Sequence, residues 1–293
     1  MSDDADPAAA AGADTPLPFE VAAFYDAYGE REWERLDRDF HHRLEWEATT
    51  AYLDEHLPAE GHVLDVGGGA GRYAVWLAER GLDVTLVELS AEQARLAREK
   101  SRDHGVADRV TVTRGDARAL PASAGAADAV CCLGGPLSHV LDADGRVDAA
   151  RELRRVAADG APVLVSVMGL LASLTRIMRH SGLVPDEHDE TELLPALART
   201  GDYDAALLER FDREPTAQPM HLFRVDEFEA LLEAAGLVVE TLAALEGPFS
   251  QRREDLDALT EAHCEAIRET LAELREDRHV VDHSAHMLAV CRA

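Results

Sequence analysis

The chain has 293 residues, 46% of them hydrophobic, with 29 Lys plus Arg set against 57 Asp plus Glu, a formal charge of −28. That apolar content excludes global disorder, and no run is long and apolar enough to span a bilayer. The first eighteen residues lack the apolar stretch of a signal peptide, so a cytoplasmic location is expected, with no membrane partner.

In chain order, residues 1–18 read as a disordered acidic tail. Residues 19–57 carry Phe24, Tyr25, Tyr28, Trp33, Leu36, Phe40, Leu44, Trp46, Tyr52 and Leu53 at roughly helical spacing among charges. Large rings so concentrated suggest a helical lid that packs over the main domain or a bound ligand. From residue 58 short apolar runs alternate with helical ones. Strands are predicted over His62–Val66, Asp83–Glu88, Arg109–Thr113, Asp128–Leu133 and Pro162–Met168. Helices are predicted over Arg72–Arg80, from the Ser90 cap to Asp103, and over Asp148–Ala157. Residues 169–215 break the rhythm and read as an acidic helical insertion. A helix over Val225–Ala235, a strand over Leu237–Thr241, a charged helix over 254–274 and a last strand over His286–Cys291 complete the chain. This alternation implies right-handed crossovers and an α/β fold, a doubly wound, mainly parallel sheet within a single domain over 58–293.

Cys131 and Cys132 are adjacent, Cys264 and Cys291 stand alone, and none has metal-ligand or redox spacing. They read as buried reduced thiols, and no metal site is expected. Lys100 is the only lysine. Acidic excess with almost no lysine resembles the composition of salt-loving microbes, where concentrated salt screens self-repulsion; the alternative is a merely acidic mesophilic protein. The same negative field repels polyphosphate backbones, so a nucleic-acid partner is disfavoured. Nothing in the sequence sets the oligomeric state.

The chemistry concentrates at Asp65-Val66-Gly67-Gly68-Gly69-Ala70-Gly71, between the first strand and its helix. Glycines there let the chain turn sharply and let a ligand approach where a Cβ would clash. The spacing is G-x-G-x-G, and Arg72 stands where a dinucleotide fingerprint needs its last small residue. Glu88 ends the second strand, where a carboxylate can accept both hydroxyls of a ribose. Gly115-Asp116-Ala117 follows the third strand, and its carboxylate can accept from an adenine amine. Three acids at successive strand ends share one edge of the sheet, where α/β folds bind ligands.

With these motifs the sequence resembles the class I S-adenosylmethionine-dependent methyltransferases. VLDVGGGAGRYAVWLAERG matches the cofactor loop, VTLVELS the ribose-binding acid, VTRGDARALP the adenine site and AVCCLGGPLSHV the fourth strand and its loop. The resemblance implies a Rossmann-like seven-stranded sheet with its last strand antiparallel, and S-adenosyl-L-methionine as cofactor. By position it implies Asp65, Gly67, Gly69 and Gly71 around the methionine part, and Glu88 with Leu89 at the ribose. Asp116 and Ala117 would take the adenine edge, with Leu133 and Gly134 near the transferable methyl.

The acceptor is less legible. The loop Leu133–His139 lacks the tetrad of amino methylation on bases and the Pro-Cys nucleophile of cytosine methylation. His139 is read either as a general base or as a histidine that hydrogen-bonds its own loop. Tyr25 and Tyr28 either close over the cofactor or pack their helix, and His221 either faces the acceptor or sits in a surface turn. Arg72 either reaches the cofactor carboxylate or lies exposed. The reading is methyl transfer to a small molecule at O, N or C. Its rivals are RNA or protein methylation, a non-catalytic cofactor-binding protein, and a nicotinamide-dependent oxidoreductase.

Overall fold

The computed structural model describes residues 19–183, 189–252 and 258–293. The tail expected over 1–18 therefore lies outside the described residues, as does the start of the helix expected over 254–274.

Residues 19–57 are helical, as expected, in three pieces. They are α1 (Val21–Tyr28), α2 (Arg31–Glu34), continued by a 3-10 turn over Arg35–Asp37, and α3 (Phe40–His56). Gly29 ends α1 at a φ of 58°, and Asp39 restarts the helix by accepting from the His42 amide at 2.9 Å. The alternating part follows as β1 (His62–Val66), α4 (Arg72–Glu79), β2 (Asp83–Glu88), α5 (Ala91–Asp103), β3 (Val110–Arg114), β4 (Ala129–Cys132), α6 (Ala143–Val156) and β5 (Pro162–Met168). Ser90 caps α5 by accepting from the Gln93 amide at 3.0 Å. The sixth helix begins earlier than its apolar spacing suggests, because Asp142 caps it with a bond from the Gly145 amide.

The insertion holds α7 (Leu170–His180), α8 (Leu194–Thr200), β6 (Asp202–Tyr203), α9 (Ala205–Phe211) and β7 (Met220–His221). It extends past residue 215, because β6 finds its antiparallel partner only in β7. Its two ends meet at the sheet: the Phe223 amide donates to Met168 O at 2.8 Å, and the Leu170 amide to Phe223 O at 2.9 Å. The chain then forms α10 (Val225–Ala234), β8 (Val238–Ala244), α11 (Glu261–Leu274), α12 (Arg278–Asp282) and β9 (His286–Arg292).

The seven-stranded sheet has the order β3-β2-β1-β4-β5-β9-β8. Only β9 is antiparallel, and it inserts between β5 and β8. One core lies between the sheet and α6 with α10, the other between the sheet and α3, α4 and α5. Cys131 and Cys132 face these two cores in turn, and all four cysteines are buried and free. Because β9 runs backwards, its first residue, His286, pairs with Met168 at the carboxyl end of β5. One sheet edge thus collects Val66, Glu88, Met168, the residues after β4 and β8, and His286. Among the described residues no helix is long and apolar enough to cross a membrane.

Candidate functional site

The turn after β1 is built by positive-φ glycines. Gly67, Gly69 and Gly71 have φ of 69°, 54° and 87°, a region that side chains with a Cβ avoid. A Cβ on Gly67 would stand 2.5 Å from Cγ of Pro136, so this turn and the loop after β4 touch directly. A Cβ on Gly68 would overlap Oδ2 of Asp65. Asp65 is fully buried beneath the turn, and neither of its carboxylate oxygens has a hydrogen-bond partner. Burial, then the nearby Glu88 charge, pushes its pKa up to about 7.

Glu88 is also buried, but its oxygens are engaged. Oε2 accepts from the Gly69 amide at 2.9 Å and Oε1 from the Ser90 amide at 2.8 Å. Each oxygen keeps a second lone pair for a ligand hydroxyl. Burial raises the Glu88 pKa against these amide bonds. Leu89 beside it is 39% exposed, an apolar surface at the same edge. Asp116 is more open and is held by Arg118, whose Nη2 donates at 2.6 Å and keeps the carboxyl below its ordinary range. Ala117 packs against the adjoining core. Leu133 is buried, and the Gly134 amide donates to Ser166 Oγ at 2.8 Å.

The N-terminal segment covers this crevice. The Gln93 side-chain Nε2 of α5 donates to Tyr25 O at 2.8 Å and to Gly29 O at 3.0 Å. Asp26 accepts from the Glu92 amide at 3.0 Å. At the opposite side, the Tyr25 hydroxyl donates to Nε2 of His139 at 2.9 Å, and Nδ1 of His139 donates to Pro219 O at 2.9 Å. Cγ of Glu32 lies 3.3 Å from where a Gly69 Cβ would be, and Nη2 of Arg35 lies 3.3 Å from that position on Gly134. Burial raises the pKa of Glu32 and of the Tyr25 phenol.

Three further residues take other partners. Tyr28 stacks on Phe24 with ring centroids 5.6 Å apart. His221 is buried with Nδ1 2.7 Å from Asp202 and Nε2 2.8 Å from Glu227, so it joins the β6–β7 ribbon to α10. Arg72 lies with its guanidinium 5.1 Å from the rings of both Trp33 and Trp46 and bonds Asp37. Arg72 is therefore not the exposed first-turn arginine of the sequence reading: its side chain is 20% exposed and anchors the covering segment to α4 by cation–π contact.

Sequence spacing missed a buried polar cluster at the same edge. Arg35 grips both oxygens of Glu45, at 2.6 and 3.0 Å. Nδ1 of His286 lies 2.6 Å from Oε1 of Glu246 and 3.7 Å from Glu45. Glu246 also accepts from Ser284 Oγ at 3.0 Å and from the His286 amide at 2.9 Å. No local pattern links positions so far apart in sequence. Only the antiparallel β9 brings them together.

The acceptor set suits a ligand rich in cations and hydroxyls. An unpartnered buried carboxylate, a second one with spare lone pairs and a turn free of Cβ atoms meet at one edge. S-adenosylmethionine presents an ammonium, a sulfonium, two ribose hydroxyls and an adenine amine to such acceptors.

Comparison with known proteins agrees with this geometry. Residues 63–160, from within β1 to just before β5, match the family model of a methyltransferase domain. The chain is 30% identical over 194 residues to methyltransferase GfsG of Streptomyces halstedii, a match that covers 65% of this chain and 58% of that protein. The chain thus spans less than two thirds of that relative's length. It is 40% identical over 63 residues to the tRNA 5-carboxymethoxyuridine methyltransferase of Escherichia coli (strain K12), which covers 22% of this chain and 24% of that one. Among solved structures, geranyl diphosphate C-methyltransferase from Streptomyces coelicolor A3(2), in complex with Mg2+, geranyl diphosphate and S-adenosyl-L-homocysteine, is similar at a TM-score of 0.52 and 17% identity. That match covers 86% of this chain and 80% of the other, and shows the common fold.

Proposed function

We propose that this chain, a member of the class I S-adenosylmethionine-dependent methyltransferases, transfers the methyl group of that cofactor to a small-molecule acceptor held beneath its N-terminal segment. The observation that carries this reading is the glycine turn set between the carboxylates of Asp65 and Glu88 at the carboxyl edge of the sheet. When bound, the cofactor supplies a reactive methyl on a sulfonium. The protein has to align an acceptor, exclude water and receive a proton where the acceptor carries one.

Each group then has a task. Glu88 and Leu89 receive the ribose, and Asp116 and Ala117 the adenine edge once Arg118 shares the carboxylate. Asp65, Gly67, Gly69 and Gly71 surround the methionine part, while Leu133 and Gly134 border the methyl. Tyr25 and His139 close the cover, and Tyr28 stiffens it by stacking on Phe24. In this reading His139 becomes a base only when Tyr25 withdraws, since both its ring nitrogens are engaged. His221 bears on the acceptor indirectly, by fixing the ribbon that closes the insertion. The charge of −28 supports a small acceptor over RNA and a working environment of concentrated salt.

Calorimetry with S-adenosylmethionine and with NADH tests the class. Binding of the methyl donor is expected, and Glu88→Ala should weaken it by about 2 to 3 kcal/mol through lost charge-assisted hydrogen bonds. Preference for NADH would overturn the reading. Binding without labelled-methyl transfer to any metabolite would leave a cofactor-binding protein in its place.

A further inference from the structure

We propose that His286, oriented by Glu246, is the proton acceptor for a hydroxyl-bearing methyl acceptor, an inference that rests on the methyltransferase reading above. Four observations converge on it. His286 opens β9 at the carboxyl end of β5, the edge that carries the glycine turn. Its Nδ1 is held at 2.6 Å by Glu246, which is fully buried and fixed in turn by Ser284 Oγ and the His286 amide. Its Nε2 has no hydrogen-bond partner among the described residues, and the side chain stays 13% exposed. Finally, the cluster adjoins Gly134, which the proposed function sets at the border of the methyl. Arg35 grips Glu45, which lies 3.7 Å from His286, and touches the space above Gly134. A carboxylate that fixes one imidazole nitrogen and leaves the other open is the arrangement of an oriented general base.

The surrounding charges set its basicity. Burial alone would lower the His286 pKa, but Glu45 and Glu246 together outweigh burial and the opposing Arg35, and hold it above the ordinary histidine value. His41 also faces the pair, 3.9 Å from Glu246. A base raised in this way must first lose its proton, so the reaction should quicken as pH rises. The three groups Glu45, Glu246 and His286 have ligand atoms within 4.8 Å of one another, yet Arg35 already supplies the cation to Glu45.

The step balances with the cofactor as the only co-reactant. The acceptor oxygen forms a bond to the methyl carbon as the carbon–sulfur bond breaks. That electron pair stays on sulfur, which becomes the thioether of S-adenosylhomocysteine. The hydroxyl proton passes to Nε2 of His286 and then to solvent. Methylation of a hydroxyl is the reaction class this proposal assigns.

The test pairs spectroscopy with turnover. Protein labelled with 15N-histidine, read without any ligand, should show one ring with Nδ1 protonated throughout and Nε2 titrating above the usual histidine range. The signal should vanish in His286→Gln and move to lower pH in Glu246→Gln. Release of S-adenosylhomocysteine is then followed with catechol, 4-methylumbelliferone and benzyl alcohol between pH 5.5 and 9.5. The expected result is release that rises with pH, falls by about 100-fold in His286→Gln and is partly rescued by added imidazole. If His286→Gln does not fold, Glu246→Gln carries the test by shifting the rising limb. A ring that does not titrate, an unchanged His286→Gln rate, or no release from any hydroxyl probe by protein that binds S-adenosylmethionine would each overturn the base. Failure to bind S-adenosylmethionine in calorimetry would instead overturn the methyltransferase reading beneath it.

Discussion

The Tyr25 hydroxyl and Nε2 of His139 meet at 2.9 Å across 114 residues of sequence. The Pro219 carbonyl can only accept, so Nδ1 of His139 carries the ring hydrogen and Nε2 offers a lone pair. One imidazole therefore joins α1, the loop after β4 and the strand-bound end of the insertion. Burial favours this arrangement by keeping both partners neutral, lowering the His139 pKa and raising that of Tyr25.

Removing the hydroxyl should loosen the cover without unfolding the sheet. A typical net hydrogen bond is worth about 0.5 to 1.5 kcal/mol. Tyr25→Phe should thus release S-adenosylmethionine roughly 3- to 10-fold faster, with an unchanged far-ultraviolet circular dichroism spectrum. Stopped-flow displacement measures this, and an unaltered off-rate would show that the pair is no latch.

The same pair makes the cover sensitive to acid. His139 has a lowered pKa in the folded protein, so the unfolded chain binds the proton more readily. Its contribution is present above the unfolded histidine value of about 6.5 and is lost as pH falls below it. Off-rates of S-adenosylmethionine should therefore climb between about pH 6.5 and 5, and His139→Gln should flatten that climb. A climb of equal size in the variant would assign it to another group.

Asp65 works in the opposite direction. Its carboxyl is pushed up to about 7 by burial and then by Glu88, so the folded state holds the proton more tightly than the unfolded chain. Stability is then lost as pH rises from about 4 through 7. Asp65→Asn should stabilise the ligand-free protein by on the order of 2 kcal/mol at pH 8, and by little at pH 4, once the buried amide's own desolvation is discounted. Urea unfolding at the two pH values checks the sign. The same variant should bind S-adenosylmethionine more weakly, because the ammonium of the methionine part loses its carboxylate partner.

What could be read from sequence depended on distance along the chain. Strands β1 to β5 were visible because their apolar runs end in acids and glycines that mark both the turn and the ligand edge. The inserted position of β9 between β5 and β8 was not visible in its residues, since a strand with a short apolar centre carries no sign of its neighbours. The breaks at Gly29 and Asp39 were hidden by aromatic spacing that continues across them. Arg72 looked like a first-turn arginine, and only the fold brings Trp33 and Trp46 to either side of it. The cluster of Glu45, Glu246 and His286 had no sequence signal, because three helices and strands must assemble before those side chains share a dielectric.

That cluster yields the sharpest stability prediction. Glu45 is buried, and Arg35 supplies bonds to both its oxygens, so the carboxyl titrates below its ordinary range despite burial. Arg35→Met removes the cation and leaves Glu45 buried beside Glu246, another buried carboxylate. Breaking one side of such a pair costs about 3 to 5 kcal/mol, whereas replacing both sides is often close to neutral. Arg35→Met should therefore lower the urea midpoint strongly at pH 8, and the double variant Arg35→Met/Glu45→Gln should recover most of it. Acidification should also partly rescue the single variant, since a proton on Glu45 does the work of the lost guanidinium. If both variants lose the same stability, the cost lies in the packing of the arginine stem against the covering segment and not in the unpaired charge.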